Sequence, residues 1–549
     1  MEYLRDELKR RRAEVERRRF IRQRETPQHR PIPGSAQVPN SAGGYTWAVD
    51  DWTRLHRFLV LGSEGGSYYA SEAKLSAENA DAVLRCIAAD GPRVVDTLVA
   101  VSEAGRAPKN DAALFVLALC AARGHDETRR AVIEALPRVA RIGTHLFHFV
   151  AFVDALRGWG RGLRQAVGNW YNARPARDLA YQALKYQQRD GWSHRDVLRL
   201  AHPKAPDEPH QTIYHWIAKG WEWVGEMPHP DVALQQIWAF ERAKRAGSAE
   251  ELTELIRTYR LPREAVPAHW LAKPQIWEAL LEEMPMTALL RNLATLTRLG
   301  VLTAGGQATR RVTDQLTNRE WLQRARVHPI AVLSALKTYA RGHGARGRHT
   351  WQPIASVIDA LDAAFYATFD NVTPTRKRWV LALDVSASMG WGNIAGVPGL
   401  SPRVASAAMA LIQAATEPEN TIVAFSTTMR PLSLSPRQRL DDVVKQVQKI
   451  PMGGTDCALP MVWAMDNHVA ADVFVIYTDN ETWHGNIHPA QALSQYRASM
   501  GIDAKLVVVG MVANSFSIAD PNDAGMLDCV GFDTATPQLI SDFATDQLL

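Results

Sequence analysis

The sequence predicts a two-part fold, an α-solenoid followed by an α/β domain built on a mostly parallel sheet. From about residue 45 to 365, apolar residues recur at helical spacing with little strand character. After Pro374, short apolar runs alternate with helical segments, which is the pattern of βαβ units. The length of 549 residues agrees with at least two domains, because single hydrophobic cores stop growing at about 250–300 residues.

The N-terminal residues form a third, basic part. Residues 1–30 carry 11 basic and 6 acidic side chains and resemble a charged helix with too few apolar residues to pack firmly. Residues 31–44, "PIPGSAQVPNSAGG", have the composition of a linker. We therefore expect a flexible arm and linker over 1–41, a helical domain over 42–372 and an α/β domain over 373–549. The arm either adds phosphate contacts or is a solvated helix.

The helical domain is predicted from repeated amphipathic runs. "DAALFVLALCAARG", "ETRRAVIEALPRVARIG" and "HPIAVLSALKTYARG" have apolar residues at helical spacing and end in basic residues or glycine. Many short helices joined by short turns are typical of stacked helical pairs, which predicts the solenoid.

The α/β domain is predicted from four apolar runs, "RWVLALD", "TIVAFS", "DVFVIYTD" and "AKLVVVGMV". Helical segments such as "PRVASAAMALIQAATE" and "CALPMVWAMDNH" lie between them. In open sheets of this kind, ligands bind outside the carboxyl ends of the strands.

Oxygen side chains stand at those strand ends. They are Asp384, Ser386 and Ser388 in "VLALDVSASMG", Thr455 in the glycine-rich "GGTDCA", and Asp479 in "FVIYTDNE". Two carboxylates and three hydroxyls form an all-oxygen set that suits a hard cation. We predict Mg²⁺, with Mn²⁺ and Ca²⁺ as alternatives. The simpler interpretation is a polar turn, since Asp and Ser bond their own backbone there.

Basic residues surround a predicted helix start at Ser193, where Asp196 completes a capping box. Cations beside planar groups are what recognition of phosphates and unstacked bases requires. The alternative is a solvated helix face with a buried tryptophan. The candidate RNA contacts are Lys185, Arg189, His194, Arg195, Arg199 and Lys204.

A second candidate is the glycine-rich "ARGHGARGRHTW", residues 340–351, which carries Arg341, Arg346 and Arg348. Glycines let a backbone approach a phosphate closely. The segment is either an RNA-contacting lining or a solvated inter-domain loop.

Composition excludes other classes. Four widely spaced cysteines favour a reduced, cytoplasmic chain over a disulfide framework or a structural zinc site. No run of about 18 apolar residues predicts a membrane span, and the charged N-terminus is unlike a secretory signal.

Residues 31–375 carry a net charge of +6 and residues 376–549 a net charge of −6, so the basic majority of the chain suits a polyanionic partner.

Two resemblances follow from these motifs. The strand-end oxygen set resembles the metal-ion-dependent adhesion site of von Willebrand factor A (vWA) domains. Residues 183–204, "ALKYQQRDGWSHRDVLRLAHPK", resemble the signature of the Ro autoantigen family, which is built on the TROVE domain. So do "GRAPKNDAALFVLALCAARG", "MPMTALLRNLATLT", "HPIAVLSALKTYARGHGARG" and the junction from "ALDAAFYATF" to "VLALDVSASM". The resemblance runs from about residue 42 onward, and "DDWTRLHRFLVLGSEGG" is more similar to the bacterial branch.

The Ro resemblance implies a monomeric ring of HEAT-like repeats closed by a vWA-like domain. It implies Y RNA-like small RNA on the ring surface and single-stranded 3′ ends of misfolded or decaying RNA in the central hole. The implied role is RNA quality control, processing and degradation, in bacteria together with a ring-shaped exoribonuclease. Residues 1–30 have no counterpart in the family's shared core.

Two other functions stay open. The protein could be a metal-dependent adaptor whose cation binds an acidic group of a protein partner. It could also be a nuclease that uses Asp384 and Asp479. We expect no enzyme activity, because the sequence shows no nucleophile–base pair, phosphate loop or H-E-x-x-H motif.

Overall fold

The computed structural model describes residues 25–62, 72–221, 227–344, 349–368, 374–392, 394, 400–435, 438–533 and 535–547. The chain divides into two compact units. One combines residues 1–80 with 369–549, and the other, the helical unit, spans 81–368. The predicted arm over 1–24 lies outside the described residues.

Short helices dominate the chain up to residue 368. Many begin at a cap that the sequence supplies: the Ser248 side chain, for example, accepts a hydrogen bond from the Glu251 amide. The helix Glu72–Glu103 is broken at Asp90, whose side chain caps its second half by accepting from the Arg93 amide at 3.0 Å. The helices α1 to α17 are Asp51–Leu61, Glu72–Glu103, Asp111–Arg123, Asp126–Val139, Gly143–Leu156, Arg161–Asn172, Ala176–Lys185, His194–Ala201, Glu208–Lys219, Gln235–Ala243, Ala249–Tyr259, Pro274–Glu282, Met286–Arg298, Gln307–Thr317, Arg319–Arg324, Pro329–Arg341 and Ala355–Ala367.

Distant parts of the helical unit meet near the start of α16. Arg326 donates to the Glu103 carbonyl at 2.9 Å, and His328 bonds the Arg106 carbonyl at 3.1 Å. Both carbonyls lie at or just after the end of α2. The unit therefore joins segments whose contacting residues are 223 and 222 positions apart in the sequence.

The strands of the other unit that follow the helical unit in sequence are β5 to β11, which are Trp379–Asp384, Asn420–Phe425, Met429–Pro431, Val473–Thr478, Lys505–Gly510, Phe516–Ser517 and Met526–Val530. Six of them form a sheet in the order β11-β9-β8-β5-β6-β7, in which only the β6–β7 pair is antiparallel. Every residue of β5 and β8 is buried, as continuous apolar runs in a parallel sheet require. The predicted mostly parallel sheet is confirmed. The helices α18 to α22 are Pro402–Thr416, Leu440–Gln448, Leu459–Asp466, Pro489–Met500 and Thr536–Ala544.

The segment predicted as a linker differs from that expectation. Strands β1 (Gln37–Pro39) and β2 (Tyr45–Ala48) pair with each other, and β2 pairs with β10, so the predicted linker contributes strand β1 to a small antiparallel sheet. Proline and glycine mark the turns of this hairpin, and the partner that orders it, β10, lies at the far end of the sequence. The described residues between 42 and 80, predicted to belong to the helical domain, group with the C-terminal sheet.

A short hairpin joins α7 to α8. It consists of two strands of two residues each, β3 (Gln188–Arg189) and β4 (Trp192–Ser193). Of the helices in the described ranges, none combines the length with the hydropathy that a membrane-spanning segment needs.

Candidate metal site and cationic surface

The sheet topology brings two acidic residues to one edge. Asp384 is the last residue of β5, and Asp479 follows the last residue of β8, its parallel neighbour. Asp384 is 0% exposed and Asp479 is 1% exposed. Because parallel strands end at the same edge of a sheet, the parallel pairing of β5 with β8 is enough to place both carboxylates there.

Hydroxyl groups surround these carboxylates. Asp384 accepts from the Ser386 amide at 2.9 Å and from the Thr478 hydroxyl at 2.7 Å. The Ser386 and Ser388 hydroxyl oxygens are 3.0 Å apart, and the Ser388 side chain hydrogen-bonds Asp479. Four of the five predicted ligands are thus linked by hydrogen bonds.

The side chain of the fifth predicted ligand, Thr455, does not take part in these hydrogen bonds. Its hydroxyl Oγ1 and the Oδ2 atom of Asp479 are buried and have no hydrogen-bond partner among the described residues. A buried polar atom without a partner costs about 1–3 kcal/mol, so it requires an explanation such as a bound ion. Oxygen atoms of a hydroxyl and a carboxylate are ligands that Mg²⁺ accepts, and this donor set therefore fits the predicted cation.

The electrostatics also favour a cation. Burial raises the pKa of Asp384, and burial together with the charge of Asp384 raises the pKa of Asp479 to about 7. Glu481 lies two residues further on, and burial followed by the charge of Asp479 raises its pKa to about 8. A divalent cation would offset this concentration of negative charge. No group of three His, Cys, Asp or Glu side chains suited to a metal occurs in the described part of the chain, so hydroxyls are essential to the donor set.

Two residues that hold this site together were not predicted from the sequence. Arg403, 5% exposed, donates to the Val385 carbonyl and to the Ser386 carbonyl, the latter at 3.0 Å. Asn514 donates to the Asp479 carbonyl. Arg403 sits near the start of α18 and Asn514 follows β9. Neither lies in a motif, so no local signal identifies them.

The loops of the site carry large apolar side chains on their outer side. Trp391 is 60% exposed, Met452 is 62% exposed and Trp483 is 36% exposed. They follow Ser388, precede Thr455 and follow Asp479, respectively. The Met452 sulfur lies 3.6 Å from the Cβ position of Gly390, so two of these loops are adjacent.

The cationic surface is built on the α7–α8 connection. The predicted capping box exists: Ser193 accepts from the Asp196 amide, and Asp196 accepts from the Ser193 amide at 3.0 Å. This fixes the start of α8. Of the six RNA contacts predicted around Ser193, the structure places four on exposed positions, which are Arg189, Arg195, Arg199 and Lys204.

Lys185 has a different environment. It is the last residue of α7 and is half-buried, with Nζ donating to the Tyr181 hydroxyl at 3.1 Å. It lines a cavity of about 380 Å³ whose walls carry both arginines and glutamates, including Arg257 and Glu282, which form an ion pair at 2.9 Å. Lys185 is therefore already paired with a protein group.

The burial of His194 contradicts its prediction as an RNA contact. It is 3% exposed, packs against Phe147 and Trp170, and its Nδ1 lies 2.8 Å from the Tyr171 hydroxyl. Burial lowers its pKa to about 4, so the ring is neutral at pH 7. As the first residue of α8, it turns toward the helical core, where an RNA cannot contact it.

The second cationic candidate is only partly described. Arg341 is exposed at the end of α16. Arg346 and Arg348 lie outside the described residues. Both interpretations of residues 340–351, a solvated inter-domain loop and an RNA-contacting lining, therefore stay predictions.

Comparison with known proteins covers nearly the whole chain. The model of the TROVE domain matches residues 38–338, and the model of the Ro60 vWA domain matches residues 378–544. The RNA-binding protein RO60 of Deinococcus radiodurans is 44% identical over 515 residues, 93% of this chain and 96% of the relative. The protein of the same name from Caenorhabditis elegans is 36% identical over 93% of this chain and 90% of its own. The crystal structure of the Deinococcus radiodurans Ro (RSR) protein matches with a TM-score of 0.69, covering 91% of this chain and 100% of that one.

Proposed function

Because this chain belongs to the Ro family of TROVE-domain proteins, we propose that it is the RNA-binding scaffold of a Ro ribonucleoprotein. It would bind a Y RNA-like small RNA on the surface of its helical domain and single-stranded 3′ ends of misfolded or decaying RNA in a central hole. Its role would be RNA quality control, with a ring-shaped exoribonuclease as a partner, and the chain itself would act as a monomer in the cytoplasm without catalysis.

One observation supports the RNA surface most strongly. Arg195, Arg199 and Lys204 are exposed on and just after α8, and none of them has an ion-pair partner among the described residues. Unpaired cations on one surface are available to neutralise phosphates, which dominate affinity for nucleic acids.

The contacts of Arg326 and His328 with the end of α2 support a helical domain whose segments close on one another.

The test is fluorescence anisotropy of a labelled stem-loop RNA with the full chain at several salt concentrations. We expect the Arg195→Ala/Arg199→Ala variant to bind more weakly and the slope of log affinity against log salt to fall by about 1 for each arginine. Wild-type affinity that does not change with salt would contradict the proposal.

The nuclease alternative is tested by incubating the same RNA and protein in Mg²⁺ and analysing the RNA on a gel. RNA that is shortened by the wild type but not by Asp384→Ala would support that alternative.

For the strand-end oxygen set, we propose a resident Mg²⁺ held by Asp384, Ser386, Ser388, Thr455 and Asp479. The two unpartnered buried oxygens of Thr455 and Asp479 support this proposal. The cation would supply positive charge at the sheet edge and an open position for an acidic group.

Thermal and urea unfolding with and without Mg²⁺ test the cation site. A cation at 100 times its Kd stabilises the folded state by about 2.7 kcal/mol. We expect Asp384→Ala to abolish this gain and Thr455→Val to reduce it. Thr416→Val is the matched control, since the Thr416 hydroxyl bonds a helix carbonyl, that of Ile412, at 3.1 Å. A wild-type protein that Mg²⁺ does not stabilise would refute the site.

A second function, a metal-dependent protein adaptor, is favoured by one observation. The exposed Trp391, Met452 and Trp483 stand on the loops of the proposed cation site. Large aromatic and methionine side chains are enriched at protein interfaces. A partner segment with an acidic residue beside large apolar residues would match this surface.

Selection of displayed random peptides against the full chain in Mg²⁺, with elution by a chelator, tests the adaptor function. We expect the eluted sequences to combine Asp or Glu with large apolar residues and to lose binding to Asp384→Ala. Peptides that bind Asp384→Ala equally well would count against this function.

A further inference from the structure

The segment that the sequence predicts as an arm and linker contains a fully buried glutamine, Gln28, at the loops of the proposed cation site. Gln28 is 0% exposed, although it lies in "TPQHR", a stretch without apolar residues. Its backbone is held on both sides: its amide donates to the Gly485 carbonyl at 3.0 Å, and its carbonyl accepts from the Tyr45 amide at 2.9 Å. A polar side chain is buried in this way only when its own groups are satisfied.

The Gln28 side chain connects two loops that carry predicted cation ligands. Its Nε2 atom donates to Asp456 Oδ1 at 2.7 Å and to the Ile487 carbonyl at 2.8 Å. Its Oε1 atom accepts from the Thr482 hydroxyl. Asp456 is adjacent to Thr455, and Thr482 lies three residues after Asp479. All hydrogen-bonding groups of one amide are therefore used to join the Thr455 loop to the Asp479 loop.

These two loops also bond each other directly. The Thr455 carbonyl accepts from the amides of Trp483 and His484 at 3.0 and 2.9 Å. The Cys457 amide donates to the Thr482 hydroxyl at 3.1 Å. Gln28 thus completes a network whose other members set the positions of the Thr455 and Asp479 backbones.

The rest of the N-terminal hairpin contacts the same turn. Asn40 donates to the Thr482 carbonyl at 2.6 Å, and the Ala42 amide donates to Glu481 at 3.1 Å. A Cβ atom on Gly44 would lie 1.9 Å from the Thr482 carbonyl oxygen, so only glycine allows this approach. The hairpin is thus fitted closely to the turn that follows Asp479.

We propose that Gln28 is a positioning residue for the cation site: through Asp456 and Thr482 it holds the Thr455 hydroxyl and the Asp479 carboxylate at the spacing that a divalent cation requires. The inference rests on the proposed cation site and assigns a role in it to a segment outside the α/β domain sequence. Outer partners of metal ligands commonly change metal affinity by about 10–100-fold when they are removed.

The chain offers a matched control in the same hairpin. Gln37 is also a glutamine, and its Oε1 atom accepts from the Ile32 amide at 2.7 Å. Its Nε2 atom donates to His488 Nδ1 at 3.2 Å. It therefore anchors the hairpin to the start of α21 and makes no hydrogen bond to Asp456 or Thr482 in the described structure.

The experiment is titration of the full chain with Mn²⁺ alone at 10 °C, following free Mn²⁺ by electron paramagnetic resonance. Gln28→Met keeps the volume of the side chain and removes its hydrogen bonds. We expect it to weaken Mn²⁺ binding by at least about tenfold, with Gln37→Ala within about twofold of the wild type. Thr482→Val breaks the same connection from the other side and should weaken binding similarly.

The outcomes separate this role from a purely structural one. If Gln28 only stabilises the fold, Gln28→Met will lower the melting temperature of the metal-free protein and bind Mn²⁺ at 10 °C as the wild type does, which overturns the proposal. Equal losses in Gln28→Met and Gln37→Ala also overturn it, because they assign the effect to the hairpin as a whole. Absence of Asp384-dependent Mn²⁺ binding in the wild type overturns the cation site itself, and Gln28's role with it.

Discussion

The cationic surface at α8 and the oxygen cluster at the sheet edge are opposite kinds of polar site. At α8, Arg195 and Arg199 are exposed and depend on the fold only through the helix that carries them. At the sheet edge, Asp384 and Asp479 are buried, and most of their oxygens are bonded to other protein groups. The side chains at α8 are open to solvent, whereas the oxygens at the sheet edge are held in place by the protein around them.

This difference decides what a substitution measures. Removal of an exposed cation changes the interaction with a partner and leaves the fold nearly unchanged. Removal of a buried polar group leaves its partners without hydrogen bonds, which costs folding free energy before any ligand is considered. Substitutions at the two sites therefore separate a loss of binding from a loss of folding free energy.

The largest effect is expected for Arg403→Met. The Arg403 guanidinium satisfies the carbonyls of Val385 and Ser386, and its charge favours the ionised form of Asp384. Because a buried carboxylate would lose its nearby cation, the free energy of unfolding of the sheet-containing unit should fall by about 3 kcal/mol. Urea unfolding of the full chain measures this change. Arg430→Met, at an exposed position of β7, is the control and should stay within about 0.5 kcal/mol.

An intermediate effect, dependent on pH, is expected at His194. Its folded-state pKa of about 4 lies below the ordinary value of 6.5, because burial disfavours the charged ring. The unfolded chain therefore binds more protons between pH 6.5 and 4, and stability falls as the pH decreases through this window. From pH 7 to pH 5, the wild type should lose about 2 kcal/mol more than His194→Gln.

Urea unfolding at both pH values tests this expectation. The exposed His215 provides the control, since His215→Gln should follow the wild type. Equal pH dependence in the wild type and His194→Gln would show that the His194 ring is not neutral in the folded protein.

The parts of the molecule that could be predicted from the sequence depend on local patterns. The apolar runs of β5 and β8 identify buried parallel strands, and the parallel order places Asp384 and Asp479 at one edge. Ser193 and Asp196 identify the start of α8, because a capping box involves residues three positions apart. In these cases the residues that form the structure are neighbours in the sequence.

The parts that could not be predicted depend on distant partners. Gln28 is buried against Asp456 and Thr482, which lie 428 and 454 positions further along the sequence. Its own surroundings in the sequence have the composition of a mobile segment. His194 follows the half-buried Trp192 in "GWSH", but its burial depends on Phe147, Trp170 and Tyr171 from two other helices. Local composition contains no information about such contacts.

The smallest effect on stability, and the sharpest contrast with Arg403, is expected for Arg195→Ala/Arg199→Ala. Both side chains are exposed, so the free energy of unfolding of the helical unit should change by less than about 0.5 kcal/mol for each substitution. RNA affinity should nevertheless fall, since each arginine removed is one fewer neutralised phosphate.

Arg130→Ala, an exposed arginine of α4, is the control for loss of general positive charge. Anisotropy at low and moderate salt, with urea unfolding of the same samples, gives both quantities. If Arg130→Ala weakens RNA binding as much as the α8 variant does, affinity comes from the overall charge of the helical unit rather than from this surface. If the α8 variant is instead destabilised by several kcal/mol, then these arginines belong with Arg403 among the residues that hold the fold, and the contrast between the two sites fails.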